Sequence, residues 1–177
     1  MSNVDWHNGP HTRLHLKPFS IPSAAWVDPQ SRLIIGSKDL RKFEKSATNA
    51  DFAILPNVLE PYKTLSELSK ISCEPNGMVW SVDNSSLFFS DGFTKNISQC
   101  VYDLRKGDVT NCSTIFNVKN ELFENAVPKG MATDENSHLW VAIENVDGKG
   151  SVLEIDPETK SVISTIGKSM SMMMPFM

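Results

Sequence analysis

The stretch DNSSLFFSD, residues 83–91, has two counterparts in the chain, DPQSRLIIG at residues 28–36 and DENSHLWVA at residues 134–142. Each begins with Asp, continues through a short polar segment that contains Ser, and reaches Leu followed by two apolar residues. The three leucines follow one another at intervals of 54 and 52 residues, as Leu33, Leu87 and Leu139. Self-similarity at one spacing indicates a repeat architecture, in which each unit packs against its neighbours.

Two further features share this spacing. Asp103 and Asp156 lie 53 residues apart, and each stands six residues before a valine. The dipeptide Gly-Met occurs at residues 77–78 and again at 130–131, which is also an interval of 53 residues. Because three independent features keep one period, the repeat is not a chance resemblance between short strings.

Each repeat unit is predicted to form four short strands. Apolar triplets bounded by Asp, Asn, Ser and Gly favour strands joined by tight turns. The predicted strands are 76–80, 87–90, 97–103 and 113–118 in one unit, and 130–133, 138–142, 151–156 and 161–166 in the next. Four antiparallel strands in about 50 residues are typical of one propeller blade. We therefore predict an all-β chain of roughly three four-stranded antiparallel blades.

The segment after the first triplet carries a conflicting pattern. Leu59, Tyr62, Leu65 and Leu68 fall at helical spacing, but Pro61 lies inside the pattern and would break such a helix. The repeat requires strands here, so the prediction is strand at 52–55 and 63–67.

Composition excludes several classes of protein. The 177 residues carry 17 Lys and Arg against 21 Asp and Glu, a net charge of −4. An acidic chain without a basic run is a poor nucleic-acid binder, and no apolar run approaches the roughly 20 residues that span a bilayer. The charged start lacks the apolar segment of a signal peptide, which predicts a cytoplasmic protein, or an extracellular one if the N-terminus is incomplete.

The cysteines do not have the spacing of a disulfide framework or a zinc site. Cys73, Cys100 and Cys112 are odd in number and form no CxxC pair. We expect reduced thiols, buried or free. Asn84, Asn96 and Asn111 each begin an Asn-x-Ser sequon, which matters only in a secreted chain.

Three longer strings resemble one known family. They are EPNGMVWSVDNSSLFFSDGFTKNISQCVYDLRKGDVTN at 74–111, VPKGMATDENSHLWVA at 127–142 and GSVLEIDPETKSVIST at 150–165. Together with VDPQSRLIIGS at 27–37, they resemble the senescence marker protein, regucalcin and gluconolactonase family, over most of the chain from Val4 to Ile166. The resemblance implies a six-bladed β-propeller with a divalent cation at the mouth of its central channel, and hydrolysis of sugar lactones. LFFSDGFTKNI is also similar to the blade pattern of YWTD propellers, an extracellular class of binding module.

The length covers only part of such a ring. Six blades of about 53 residues need over 300 residues, whereas 177 residues supply roughly three and a third blades. The family's opening blade, which carries a metal-binding Glu, has no counterpart before Val4, and its final blade has none after Ile166. The predicted organisation is a partial propeller over residues 1–168 and a disordered Met-rich tail over residues 169–177.

The implied metal site is only partly retained. The family's Asn ligand aligns with Asn76, although Pro-Asn-Gly is also an ordinary turn sequence. Its Asp ligand aligns with Lys129, whose ammonium repels a cation, takes the cation's place beside Asn76, or belongs to a solvated surface lysine. Asp91 either supports the ligand residues without contacting the metal itself, or it forms a turn before Gly92. Glu144 and Asp147 offer replacement carboxylates or lie on a solvated loop.

The substrate contacts implied by the resemblance are replaced. An Arg and an Asn of the family pattern align with Ile21 and Ser23, and a Glu aligns with Arg41. Loss of hydrogen bonds to substrate hydroxyls sharply weakens recognition. No catalytic residue can therefore be assigned from the sequence.

The sequence leads to two functional hypotheses. One is a calcium-dependent sugar lactonase of weak or no activity, binding Ca²⁺, Zn²⁺, Mg²⁺, Mn²⁺ or no metal, with a small sugar lactone as its ligand. The other is a non-catalytic propeller fragment that acts as a protein-interaction module. An open arc of blades also predicts self-association, through Leu139 and Val141 at one end and Leu14 and Leu16 at the other.

Overall fold

The computed structural model of the protein describes residues 20–39, 52–55, 63–71, 74–118, 125–145 and 150–167. These residues form three four-stranded antiparallel sheets and one short helix. In each sheet the strands neighbour one another in chain order, as in a β-propeller blade. The prediction of an all-β chain with three antiparallel blades is confirmed.

Blade 1 comprises β1 Ser20–Val27, β2 Leu33–Asp39, β3 Phe52–Leu55 and β4 Lys63–Thr64, and α1 Ser66–Ile71 follows it. Blade 2 comprises β5 Pro75–Trp80, β6 Ser86–Asp91, β7 Asn96–Asp103 and β8 Asp108–Asn117. Blade 3 comprises β9 Val127–Thr133, β10 Leu139–Glu144, β11 Gly150–Asp156 and β12 Ser161–Gly167. The predicted strands of blades 2 and 3 are found with shifts of up to three residues at their ends, except that β8 begins at Asp108, five residues before its predicted start.

The prediction of strand at 63–67 is wrong beyond Thr64, because the chain turns into the helix α1 at Ser66. The helix begins after Pro61, so the proline does not interrupt it. Leu65 and Leu68 are buried in one cluster with Phe52 and Ile54 of β3. Burial of these leucines therefore favours a helix here, although the repeat pattern predicts a longer fourth strand.

The triplets divide their side chains between two neighbouring blades. Leu87 and Phe89 of blade 2 lie in a cluster with Ile34 of blade 1, whereas Phe88 lies in a second cluster with the first and third residues of the next triplet. Alternation of side chains along a strand explains this division. The first and third side chains of a triplet thus face the preceding blade, and the middle side chain faces the following blade.

This arrangement corrects the predicted open face. Leu139 and Val141 are completely buried against blade 2, so they do not line the C-terminal end of the arc. The face of blade 3 turned away from blade 2 carries Trp140, Val152 and Ile166 instead, by the register of β10, β11 and β12. Leu14 and Leu16 lie outside the described residues.

A buried polar cluster joins blade 1 to blade 2. Asp28 accepts hydrogen bonds from the Arg32 Nε at 2.7 Å, from the Arg32 backbone amide and from the Tyr102 hydroxyl. Arg32 also donates to the carbonyl oxygens of Leu104 and Arg105 at the far end of β7. Burial opposes ionisation of Asp28, but the donors outweigh it, and the pKa of this carboxyl is lowered. The carboxylate is therefore held charged and fully bonded between two blades.

The cysteine prediction is corrected by the structure. Cys100 of β7 and Cys112 of β8 are joined by a disulfide bond across the two strands. Cys73 lies outside the described residues, so its state stays a prediction. Among the described residues, no helix is long and apolar enough to span a membrane.

Candidate functional site

The first strands of the three blades each contain an irregularity near their start. Pairing shifts register around Ser23 in β1, around Asn76 in β5, and across the stretch of β9 that holds Lys129. The strand β5 contacts both β1 and β9, so these three strands are neighbours in the arc. A bulge re-aims a side chain and disrupts local pairing, as is common next to binding sites. Ser23, Asn76 and Lys129 therefore occupy equivalent positions at one end of the arc.

Asn76 reaches from blade 2 to blade 3. Its Nδ2 donates a hydrogen bond to the Pro128 carbonyl oxygen at 2.9 Å. The side chain passes close to Gly92, where a Cβ would lie only 2.3 Å from Nδ2. One N–H of the amide thus holds the two blades together, and the amide oxygen is the atom whose lone pairs a metal ion can use.

Lys129 does not bond to Asn76. Its Nζ lies 2.7 Å from Oε2 of Glu144, the last residue of β10. The two side chains are 41% and 59% exposed, so this is a solvated ion pair. The hypothesis that the ammonium bonds Asn76 directly is wrong, and the carboxylate considered as a replacement ligand is engaged by Lys129.

Asp91 serves the turn between β6 and β7. Its Oδ1 accepts hydrogen bonds from the backbone amides of Glu74 and Phe93, and its Oδ2 accepts one from the Thr94 hydroxyl. The residue is almost completely buried at the start of β5. Asp91 therefore stabilises the turn close to Asn76, as the turn interpretation predicts. Its support of the ligand residues stays a prediction.

The substrate-contact positions fall at the same end of blade 1. Ile21 is 39% exposed near the start of β1, and the Ser23 hydroxyl donates to the Gly36 carbonyl oxygen at 3.4 Å. A Cβ at Gly36 would lie 2.8 Å from Pro75, so this part of blade 1 abuts Asn76. Arg41 and Asp147 lie outside the described residues, and nothing is added to their predictions.

The cation implied by the resemblance does not fit these residues. An ammonium offers no lone pair to a metal ion, and hard divalent cations require oxygen ligands. At position 129 the structure has an ammonium that already neutralises the nearby Glu144 carboxylate. Among the described residues at this end, one amide oxygen of Asn76 is therefore the single ligand position of the family pattern that survives.

A sequence signal for this end of the arc was missed. Pro22, Pro75 and Pro128 follow one another at intervals of 53 residues, and each immediately precedes a residue of the equivalent set. Proline lacks the amide hydrogen of a regular ladder and is found at bulges. The period of the prolines could therefore have identified Ser23 as the counterpart of Asn76 and Lys129.

Comparisons with known proteins agree with this fold. The sequence profile of the SMP-30/Gluconolactonase/LRE-like region matches residues 13–172. Regucalcin of Xenopus laevis is 26% identical over 140 residues, which cover 79% of this chain and 44% of that protein. The chain thus spans less than half the length of this curated relative. By its sequence, the chain belongs to the SMP-30/gluconolactonase/LRE-like family.

Solved structures show the same architecture. A luciferin-regenerating enzyme superposes with a TM-score of 0.71 at 18% identity, covering 84% of this chain and 47% of that one. Regucalcin from Agrobacterium tumefaciens, described as a calcium-binding protein, superposes with a TM-score of 0.65 at 18% identity, covering 84% and 46%. These similarities establish the fold, a part of a β-propeller.

Proposed function

We propose that this chain is a non-catalytic member of the gluconolactonase and regucalcin-like family. It acts as a protein-interaction module and does not hydrolyse lactones. The observation that supports it is the Lys129–Glu144 ion pair beside Asn76. The pair carries no net charge, so this position lacks the negative charge that the family's Asp ligand supplies, and an ammonium offers no lone pair to a metal ion. A divalent cation would gain the Glu144 carboxylate only by displacing Lys129, so the pair disfavours the cation on which the family's hydrolysis depends.

A second candidate function is a weak sugar lactonase. It is favoured by the retained Asn76 and by Asp91, which fixes the turn beside it. The replacements at Ile21 and Ser23 argue against it, because neither side chain offers the planar donors that bind sugar hydroxyls in the implied pattern. The two candidates differ in whether hydrolysis responds to metal.

Hydrolysis of glucono-δ-lactone by the purified chain separates them. We expect the rate with Ca²⁺ to equal the spontaneous rate, and Ca²⁺ titrations by calorimetry to show no saturable heat. Lys129→Asp should leave the rate unchanged, since the substrate contacts are still missing. A regucalcin assayed in parallel is the positive control. Calcium-dependent turnover that Asn76→Ala abolishes would refute the proposal and establish the second candidate.

A further inference from the structure

A second group of ionisable side chains lies at the opposite end of blade 3. Asp134 sits in the turn between β9 and β10, His138 directly precedes β10, and Glu154 lies in β11. One ligand atom from each falls within 4.8 Å of the others. The group is at the far end of β9 and β10 from Lys129 and Glu144, so it is separate from the site described above.

The distances between these atoms suit a small metal ion. The His138 Nδ1 lies 3.0 Å from Glu154 Oε1 and 3.6 Å from Asp134 Oδ2. Two ligands bound at about 2.0–2.1 Å in a tetrahedral zinc site are themselves about 3.4 Å apart. Both separations from the imidazole nitrogen are close to that value, and the two carboxylate oxygens lie within 4.8 Å of each other, so one ion can contact all three residues after a small closing movement.

Hydrogen bonds from neighbouring groups orient both carboxylates. The Trp140 Nε1 donates to Asp134 Oδ2 at 3.0 Å, and the backbone amides of Asn136 and His138 donate to Oδ1. The Ser164 hydroxyl donates to Glu154 Oε2 at 2.6 Å, which turns Oε1 toward the imidazole. Partners of this kind fix the direction of ligands and are a regular part of metal sites.

The fold itself does not require this group. In the equivalent turn of blade 2, Ser81 takes the place of Asp134: its hydroxyl oxygen accepts the Ser86 backbone amide, as Asp134 Oδ1 accepts that of His138. By strand register, the counterparts of His138 and Glu154 in blade 2 are Ser86 and Gln99, which are hydrogen-bonded to each other and offer neither an imidazole nor a carboxylate. Blade 3 therefore carries an imidazole and a carboxylate that blade formation does not explain.

We propose that Asp134, His138 and Glu154 form a binding site for a divalent transition-metal ion of the Zn²⁺ class. The side chains are 26%, 26% and 16% exposed, so a fourth position is open to water. Imidazole nitrogen with carboxylate oxygen suits Zn²⁺ or Co²⁺, whereas Ca²⁺ and Mg²⁺ prefer oxygen ligands alone. The proposal is independent of the proposed function, because it concerns other residues at the other end of the blade.

Spectroscopic titration with Co²⁺ tests the site directly. We expect the purified chain to develop visible absorption of a four- or five-coordinate cobalt centre, and Zn²⁺ to displace it at one equivalent. His138→Gln and Glu154→Gln should each weaken Zn²⁺ binding at least tenfold by calorimetry. Asp83→Asn is the matched control, since it alters the equivalent turn of blade 2, and its affinity should stay within twofold of the wild type.

The remaining histidines provide the decisive second comparison. All three lie in the first fifteen residues, at His7, His11 and His15. Their joint replacement by Gln should leave the cobalt spectrum and the Zn²⁺ affinity unchanged. If that replacement removes binding while His138→Gln retains it, or if no stoichiometric binding is seen, the proposal is wrong. Circular dichroism of each variant excludes loss of the fold as the cause.

Discussion

At the scale of single residues, the three turn aspartates show how the same residue type in a blade turn has different roles. Asp83 remains exposed, and hydrogen bonds from Ser81 and Ser85 lower its pKa to about 2. Asp134 lies beside an imidazole, and Asp28 is buried between blades with Arg32 and Tyr102. Asp28 and Asp134 begin the same turn, with a positive φ three residues later, whereas in blade 2 that turn begins at Ser81 and Asp83 lies inside it.

The Tyr102 hydroxyl allows the buried member of this set to be tested. Tyr102→Phe removes one donor from the ionised Asp28 and an acceptor from Arg32. Loss of a hydrogen bond to a buried charged group costs about 1–3 kcal/mol, and we expect urea unfolding to show a decrease of that size. Ser85→Ala removes a hydroxyl from the exposed Asp83 and is the matched control, with an effect within about 0.5 kcal/mol.

The same variant predicts a dependence on pH. Because the folded-state pKa of Asp28 lies below the ordinary value of 3.8, its contribution is fully present above 3.8 and is lost as the pH falls through the folded value. The difference in unfolding free energy between wild type and Tyr102→Phe should therefore narrow below pH 3.8. A difference that stays constant down to acid unfolding would show that the hydroxyl does not act through the carboxylate.

At the scale of strands, the contact between blades 2 and 3 depends on Gly77 but not on Gly130, the glycine at the equivalent position of the next repeat unit. A Cβ at Gly77 would lie 2.5 Å from the Lys129 carbonyl oxygen, which also accepts the Ser90 hydroxyl. A Cβ at Gly130, the repeat counterpart, would meet nothing within 4 Å. Backbone atoms of β9 thus lie directly against β5, and they can do so because Gly77 has no Cβ.

Alanine substitutions measure this close approach. Gly77→Ala should destabilise the chain by about 1–3 kcal/mol, because backbone has to move apart where no flexible side chain can yield. Gly130→Ala introduces the same methyl group at the equivalent position and should be neutral or slightly stabilising, since alanine restricts the unfolded chain. Thermal and urea unfolding compare the two variants, and equal effects would contradict the contact.

The strands also show how far the sequence could predict the structure. Strand positions in blades 2 and 3 could be predicted because polar turns and apolar triplets recur at one period, and both signals are local. The pairing of Cys100 with Cys112 could not, because a register shift between Gln99 and Val101 decides which residues of β8 lie opposite. Register at a bulge follows from packing on both sides of the sheet, which residue types alone do not specify.

The site was predictable in its positions and not in its contacts. Motif resemblance identified Asn76 and Lys129, and the structure brings their strands together. That Lys129 would pair with Glu144 depends on the start of β9 lying beside the end of β10, with Glu144 opposite Val127. The group around His138 was missed for the same reason, since Glu154 meets it only through the register of β10 with β11.

At the scale of the whole molecule, the three blades form a series with two different ends. Blade 2 is covered on both faces, by Ile34 and its neighbours on one side and by Leu139 and its neighbours on the other. Within the described residues, blade 3 has a neighbouring blade on one face only. Stacked repeats gain stability from each interface, so a terminal face is either polar or covered by a partner.

The uncovered face of blade 3 is mixed rather than polar. Ile166 is 59% exposed and lies opposite Val152, and Trp140 is on the same face beside Glu154. Apolar groups gathered on one face of a sheet are typical of an interface, and a second chain can cover them. We therefore expect the purified 177-residue chain to self-associate as its concentration rises, which light scattering coupled to gel filtration detects as a mass above that of one chain.

Ile166→Asp places a charge beside Val152 on this face and should shift association to at least tenfold higher concentration. Val82→Asp is the matched control, because Val82 is 58% exposed in the turn between β5 and β6, away from the face. A wild-type chain that stays monomeric at all concentrations, or equal behaviour of the two variants, would show that this face is not where the molecules meet.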